Sequence, residues 1–205
     1  MYCPECKCEY QGWITTCPVC KSHLVEGYNP PSVEQADKLS YDELLNLVKE
    51  NHGELQIELS TTGVRKERKW RFPYNGYGYA WASKISGTSD GISLNLTTSE
   101  VGKDHAWRFP YSGYGFAWAK SMAGELAGAE ISLQATKVAR ERRWRFPYLG
   151  YGRAWTEEMT GECGDQLRVH LLVTEVGRAR DWRFPYRGYG FAWGKKGILT
   201  LSLNQ

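Results

Sequence analysis

No stretch of the sequence approaches the roughly eighteen consecutive apolar residues that a membrane-spanning helix needs. The N-terminus also has neither the basic start nor the apolar core of a signal peptide. We therefore expect a cytosolic protein that does not enter a membrane. Because hydrophobic residues make up 41% of the 205 positions and charged residues 24%, we expect an ordered chain with one sizeable domain and a small appendage.

Residues arranged for catalysis are scarce as well. The four histidines, His23, His52, His105 and His170, have no motif partner that would complete a catalytic triad or an open metal site. The sequence also has no glycine-rich phosphate-binding loop followed by a helix. We expect a binding protein rather than an enzyme.

Charge is distributed unevenly along the chain. Up to Gly63 there are 4 lysines and 10 acidic residues, whereas the remainder carries 22 basic and 13 acidic residues, a net charge of +9. A basic C-terminal region suits an anionic partner. Neutralisation of one half by the other is the alternative explanation.

Four cysteines near the N-terminus have the spacing of a zinc site. Cys3 and Cys6 form one Cys-x-x-Cys pair, and Cys17 and Cys20 form a second pair after ten intervening residues. Two such pairs can present four thiolates tetrahedrally to one Zn²⁺, and a closed shell of four sulfurs leaves no position for water. We predict one structural zinc ion. A redox-active pair is the alternative, but no βαβ pattern surrounds either pair.

With Tyr10, the second Cys-Pro-x-Cys and Leu24-Val25, the segment from Tyr2 to Val25 resembles the short zinc ribbons that open many bacterial and archaeal proteins. The resemblance implies a metal-stabilised fold that docks onto a protein or a nucleic acid, or that only packs against a neighbouring domain. Of the two remaining cysteines, we expect Cys8 to be a spare thiol and Cys163 to be a surface or half-buried bystander in a loop.

Three parts of the chain follow from these patterns: a zinc ribbon over residues 1–27, a linker over residues 28–53 and a repeat domain over residues 54–205. Ser40 and Glu43 make a capping box, and the apolar residues after them predict a short amphipathic helix from Ser40 to Asn51. The apolar side of this helix either packs on the next domain or recruits a partner.

The string Trp-Arg-Phe-Pro-Tyr-x-Gly-Tyr-Gly-x-Ala-Trp occurs four times, beginning at Trp70, Trp107, Trp144 and Trp182. Spacings of 37, 37 and 38 residues indicate four repeated supersecondary units. A segment of alternating apolar residues, typical of a half-buried strand, precedes each copy, and a fifth such segment ends the chain.

We expect three strands in each unit: the alternating segment, the start of the motif, and the residues through Ala-Trp. The x-Gly-Tyr-Gly step would be a turn whose glycines adopt positive φ. The first and last strands should meet and so remove the edges of the array. The fold class is therefore mainly β, and we favour a four-bladed propeller or similar toroid. A closed meander barrel or a folded β-sandwich is the alternative.

Ten of the twelve motif positions are identical in all four copies. Either the copies pack on one another around a pseudo-symmetry axis, with the arginines stacked on tryptophans, or each copy forms the same ligand site from aromatic rings and a guanidinium. The candidate ligand-binding residues are Trp70, Arg71, Tyr77, Trp107, Arg108, Tyr114, Trp144, Arg145, Tyr151, Trp182, Arg183 and Tyr189.

Cationic charge beside aromatic residues favours a nucleic acid or a ribonucleoprotein as the partner of the repeat domain. The second hypothesis is a protein-interaction scaffold, in which the motif is core and the ribbon or the helix recruits another protein. A multivalent glycan-binding module is the third.

Overall fold

The computed structural model describes residues 39–71, 75–89, 91–108, 112–145, 149–183 and 187–204, together with Thr16 and Lys21. At the strand ends that border the gaps, the backbone alone is described for Arg71, Asn75, Ser112, Arg145, Leu149, Arg183 and Arg187. The chain forms two compact units, Met1–Lys38 and Leu39–Gln205. The predicted zinc ligands Cys3, Cys6, Cys17 and Cys20 lie outside the described residues, and so does Cys8.

The predicted helix is confirmed as α1 (Tyr41–Glu50). Ser40 is its N-cap, and the backbone N–H of Ser40 donates a hydrogen bond to the Glu43 carboxylate at 2.7 Å, which completes the capping box. Hydrogen bonds from Ser40 also lower the pKa of Glu43. After the helix the chain turns at Gly53, whose φ is +87°. None of the helices in the described part of the chain has the length and apolar character needed to cross a membrane.

The described residues form eight long antiparallel strands in up-and-down order. They are β1 (Glu54–Arg71), β2 (Asn75–Ser89), β3 (Ile92–Arg108), β4 (Ser112–Leu126), β5 (Ala129–Arg145), β6 (Leu149–Cys163), β7 (Leu167–Arg183) and β8 (Arg187–Leu203). Each strand pairs with its sequence neighbours, and β8 also pairs with β1 from Glu54↔Ser202 to Ser60↔Lys196. The sheet is therefore a closed barrel. The expected closure is confirmed, but the favoured propeller is wrong and the meander barrel is the observed fold.

Each repeat unit contributes two strands rather than three. The alternating segment and the opening Trp-Arg of the motif lie on one continuous strand, and x-Gly-Tyr-Gly-x-Ala-Trp opens the next strand. The Gly-Tyr-Gly step is therefore not a turn, and the described glycines with positive φ are elsewhere, at Gly53, Gly91, Gly128 and Gly164. The fifth alternating segment is the end of β8, where that strand pairs with β1.

A change of strand pairing half-way along the hairpins divides the barrel into a base and four arms. In the base, strands pair with the strand of the next hairpin, and β1 pairs with β8. Beyond it, each hairpin pairs within itself, which defines arm 1 (61–83), arm 2 (98–120), arm 3 (135–157) and arm 4 (173–195). Register shifts mark the boundary on every odd-numbered strand, for instance between Thr61 and Val64. The four copies of the motif occupy the arms.

The base is filled by the inward-facing residues of the alternating segments. Ile57, Leu94, Leu133 and Leu199 have no exposed surface, and Leu44, Leu45 and Val48 of α1 belong to the same core cluster. The helix lies at the end of the base opposite the arms, since the Tyr41 hydroxyl donates to the Cys163 carbonyl at 2.8 Å and accepts from the Gln166 N–H at 3.2 Å. The apolar side of the helix thus packs on the barrel.

Cys163 is not the surface or half-buried loop residue that the sequence indicated. It is the last residue of β6 and is fully buried in the core of the base. Burial raises the pKa of its thiol to about 11. Flanking glycines led to the wrong prediction, because Gly161 lies within the strand and only Gly164 lies in the turn.

Candidate functional site

Each arm is a two-stranded ribbon with two different faces, because small and large residues alternate along its second strand. In arm 1, Tyr77, Tyr79 and Trp81 share one side, which we call the aromatic face. The opposite side, which we call the small face, carries Gly76, Gly78 and Ala80 and, directly across the ladder, Trp70, Arg68 and Lys66. Period-two alternation along a strand produces this division.

The aromatic face of one arm packs on the small face of the next. Ala117 of arm 2 lies in one buried cluster with Tyr77, Tyr79 and Trp81 of arm 1. In the same way, Ala80 of arm 1 clusters with Tyr189 and Phe191 of arm 4, and Ala154 of arm 3 clusters with Tyr114 and Phe116 of arm 2. The arms therefore follow one another around a common axis, as the pseudo-symmetry hypothesis expected.

The second glycine of Gly-Tyr-Gly lets neighbouring backbones approach at that axis. A β-carbon placed on Gly115 would lie 2.6 Å from the carbonyl oxygen of Gly78, and one on Gly78 would lie 2.7 Å from that of Gly190. One on Gly190 would lie 2.7 Å from the oxygen of Gly152, and one on Gly152 would lie 2.8 Å from that of Gly115. These glycines are needed for close approach, not for positive φ.

Each copy of the motif begins with one tryptophan, the opening tryptophan, and ends with another, the closing tryptophan. A cation four residues before each opening tryptophan lies over the closing tryptophan of the preceding arm. The Lys103 ammonium lies 5.0 Å from the ring centroid of Trp81, and the Arg140 guanidinium lies 5.2 Å from that of Trp118. The other two members are Arg178 over Trp155 at 5.3 Å and Lys66 over Trp193 at 5.0 Å. Stacking of cations on tryptophans thus joins all four arms, although through residues that precede the motif arginines.

Ion pairs join the first strands of successive arms, which are β1, β3, β5 and β7. Three of the stacked cations reach an acid of the preceding arm: Lys103 to Glu67 at 2.8 Å, Arg140 to Asp104 at 2.8 Å and Arg178 to Glu141 at 3.7 Å. Between arms 4 and 1, Ala179 takes the acidic position, and Arg68 pairs with Asp181 instead. Because these side chains are partly exposed, each pair contributes about 1 kcal/mol or less.

Arm 3 differs from the other arms at Arg153, which occupies a position that is aromatic elsewhere. Arg153 donates to the carbonyl of Ala179 in arm 4 at 3.3 Å and lies 3.5 Å from Glu141. Burial alone would raise the pKa of Glu141, but a hydrogen bond from Arg143 and the charges of Arg153 and Arg178 hold that pKa below its usual value. The contact between arms 3 and 4 is thus polar where the others are aromatic.

The opening tryptophans of the motif face solvent. The exposed fraction is 49% for Trp70, 55% for Trp107, 51% for Trp144 and 54% for Trp182. Aromatic surface of this kind is available to a ligand.

A groove of about 220 Å³ lies between arms 2 and 3 at the level of these tryptophans. Arm 2 contributes Ala106, Trp107, Arg108 and Tyr114, and arm 3 contributes Arg142 and Trp144. The Arg142 guanidinium lies 5.9 Å from the ring centroid of Tyr114, which places positive charge over an aromatic wall. The groove combines flat apolar surface with two arginines.

Basic residues are concentrated in the same part of the molecule. Within the four arms there are 19 lysines and arginines against 7 acidic residues. The rest of the chain after Gly63 has 3 basic and 6 acidic residues. The arms are therefore strongly cationic, and the base is not.

The predicted ligand-binding residues fall into two groups. Tyr77, Tyr114 and Tyr189 are buried between arms, and Tyr151 is partly buried. The four opening tryptophans and Arg108 are exposed, whereas the side chains of Arg71, Arg145 and Arg183 lie outside the described residues. The structure brings Trp107, Arg108, Tyr114 and Trp144 together in one groove.

Two residues of the groove, Ala106 and Arg142, were missed by sequence reasoning. The signal for Arg142 lay two residues before the opening tryptophan, where the copies have Arg68, His105, Arg142 and Arg180. Ala106 lines the groove because arm 3 lies beside arm 2, and the sequence pattern did not show which arms are neighbours.

No group of three or more His, Cys, Asp or Glu residues suited to a metal ion occurs among the described residues. His105 and His170 are exposed on the barrel, and His52 is exposed in the turn between α1 and β1. No family model, curated protein or solved structure matches the chain. The interpretation of the groove therefore rests on its own geometry and charge.

Proposed function

We propose that this chain is a non-enzymatic nucleic-acid-binding protein whose arms form the binding surface. The observation that carries the proposal is the half exposure of all four opening tryptophans on the arms that hold most of the cationic charge. Proteins that hold single strands combine these two features, because bases stack on aromatic rings while lysine and arginine neutralise phosphates.

The charge of the arms favours a nucleic acid over a glycan. Aromatic rings alone serve both ligands, since sugars and bases both present flat faces to a ring. A net charge of +12 over the four arms favours a polyanion, which releases counterions when it binds. A neutral glycan gains nothing from that charge.

A protein-interaction scaffold is the second candidate, and the outer edges of the arms favour it. In arm 1, residues 61–71 of β1 pair with β2 alone, so one edge of that strand has no strand partner among the described residues. Such an edge can accept a strand from another protein. The lysines and arginines along these edges oppose strand addition, which is why we rank this function second.

For the N-terminal unit we propose one structural zinc ion held by Cys3, Cys6, Cys17 and Cys20. The support is the spacing of the two Cys-x-x-Cys pairs. Metal analysis of the purified full-length protein should find one zinc per chain, and Cys6→Ser should lower that value. If protein purified without chelators contains no zinc, this assignment is wrong.

The proposed function is tested by titrating short single-stranded and duplex RNA and DNA with the protein at several salt concentrations. Affinity should fall steeply as salt rises, because phosphate contacts displace counterions. Lys69→Glu, in arm 1, should weaken binding several-fold more than Lys84→Glu, in the base. Both lysines are exposed, and both substitutions change the net charge equally.

Two outcomes would overturn the proposal. One is the absence of binding to every nucleic acid at low salt. The other is an equal effect of the two lysine substitutions, which would show that net charge alone, without a surface on the arms, accounts for the binding.

A further inference from the structure

The four spaces between successive arms share one plan, and one of the positions at which they differ lies just before the opening tryptophan. That position holds Lys69, Ala106, Arg143 and Asp181 in arms 1 to 4. Ala106 has by far the smallest of these side chains, and it lines the groove between arms 2 and 3. The groove is therefore open at a point where the other three arms carry a longer, charged side chain.

The walls of this groove suit a planar group that carries a negative charge next to it. The groove is lined by buried Tyr114, by half-exposed Trp107 and Trp144, and by Arg142, whose guanidinium lies over the Tyr114 ring. Arg108 also lines the groove and is exposed. At about 220 Å³ the groove is smaller than pockets for drug-sized ligands, which occupy about 300–1,000 Å³, so it takes a single ring system.

We propose that the groove between arms 2 and 3 is a slot for one unpaired nucleobase, with the adjacent phosphate held by Arg108 or Arg142. This inference rests on the proposed function and adds a preference for single strands. A base in a duplex has its faces covered by stacked neighbours, and entry into the slot would require the base to leave the stack.

Ala106→Arg separates insertion of a base from simple charge attraction. The fold accommodates arginine here, because Arg143 occupies the equivalent position of arm 3. The new side chain fills the slot and adds one positive charge. Charge attraction alone predicts tighter binding, whereas the slot predicts weaker binding. Loss of stacking for one base should lower the affinity for a single strand about tenfold.

The probes are a labelled short oligouridine and a duplex of the same length, titrated by fluorescence anisotropy. We expect Ala106→Arg to weaken oligouridine binding about tenfold and to leave duplex binding unchanged or stronger. Ala123→Arg is the matched control: it makes the same change on β4, at an exposed position in the base. It should not weaken either interaction.

Equal behaviour of the two arginine variants, or tighter oligouridine binding by Ala106→Arg, would overturn the slot while leaving the proposed function intact. Failure of the unmodified protein to bind any nucleic acid would instead overturn the proposed function. If Ala106→Arg melts at a lower temperature than the unmodified protein, Trp144→Ala, at a half-exposed side chain, replaces it and should show the same selective loss.

Discussion

Replacement of Gly115 by alanine tests whether the arms are held together by close backbone contact at their axis. The added β-carbon would lie 2.6 Å from the Gly78 oxygen, 3.0 Å from the Gly78 nitrogen and 3.1 Å from the Tyr77 β-carbon. None of these atoms can move by a side-chain rotation, so the backbones of arms 1 and 2 must separate. Overpacking of this kind costs about 1–3 kcal/mol.

The unfolded chain offsets part of that cost, since alanine restricts it more than glycine does, by about 0.4–1 kcal/mol. A net loss of about 1–2 kcal/mol remains, which lowers the melting temperature by roughly 2–8 °C in a domain of this size. Thermal unfolding followed by circular dichroism measures the change.

Gly188 provides the matched control. It belongs to the same motif in arm 4, but the nearest atoms to an added β-carbon lie 3.6 Å away, which is ordinary contact distance. Gly188→Ala should therefore leave the melting temperature unchanged or raise it slightly. If Gly115→Ala melts no earlier than Gly188→Ala, the axial contact does not hold the arms together.

Three further changes probe the contacts between arms, the core of the base and the helix. Arg140→Ala should lower the free energy of unfolding by about 1 kcal/mol, because it removes both the ion pair with Asp104 and the stacking on Trp118. Arg140→Lys should lower it less, since lysine fills the equivalent position in two other arms. Urea unfolding measures both changes. Burial raises the pKa of the Cys163 thiol to about 11, so on raising the pH the unfolded state loses this proton before the folded state does. The free energy of unfolding should therefore fall between about pH 9 and pH 11. The fall should be larger in the unmodified protein than in Cys163→Ala. Tyr41→Phe should lower the free energy of unfolding by about 1 kcal/mol, because the Cys163 carbonyl and the Gln166 N–H lose their shared partner; an unchanged urea midpoint would contradict this.

Local rules predicted the parts of the fold that depend on neighbouring residues. The capping box located α1 because Ser40 and Glu43 are three residues apart and contact each other directly. The alternating segments predicted strands, and the last of them predicted closure, since a terminal strand with an apolar side needs a partner. These predictions needed no knowledge of how the repeats pack.

The number of strands in each unit was beyond local rules. Glycine and proline are typical of turns, so Gly-Tyr-Gly indicated a reversal of the chain. In the barrel, Gly78 and its equivalents instead face the backbone of another arm, a contact between residues 37 positions apart or more. Strands of 15–18 residues are also longer than the usual range, which favoured a division into shorter pieces.

The candidate site shows the same limit. The aromatic residues and Arg108 were identified because they recur, but recurrence does not separate a buried tyrosine such as Tyr77 from an exposed tryptophan such as Trp70. That separation comes from the two faces of each arm. The groove depends further on Ala106, a residue that breaks the repeat instead of keeping it.

Packing accounts for only part of the identity among the four copies of the motif. The second glycine, the tyrosine before it, the alanine and the closing tryptophan lie in the contacts between arms, where a change in one copy disturbs its neighbour. About half of the opening tryptophan's side chain faces solvent in every copy, so contacts within the fold involve only the other half. The solvent-facing half of each ring adds apolar surface to the arms. Stacking of a flat ligand on that half, as proposed above, would give the exposed surface a role that packing between the arms does not supply.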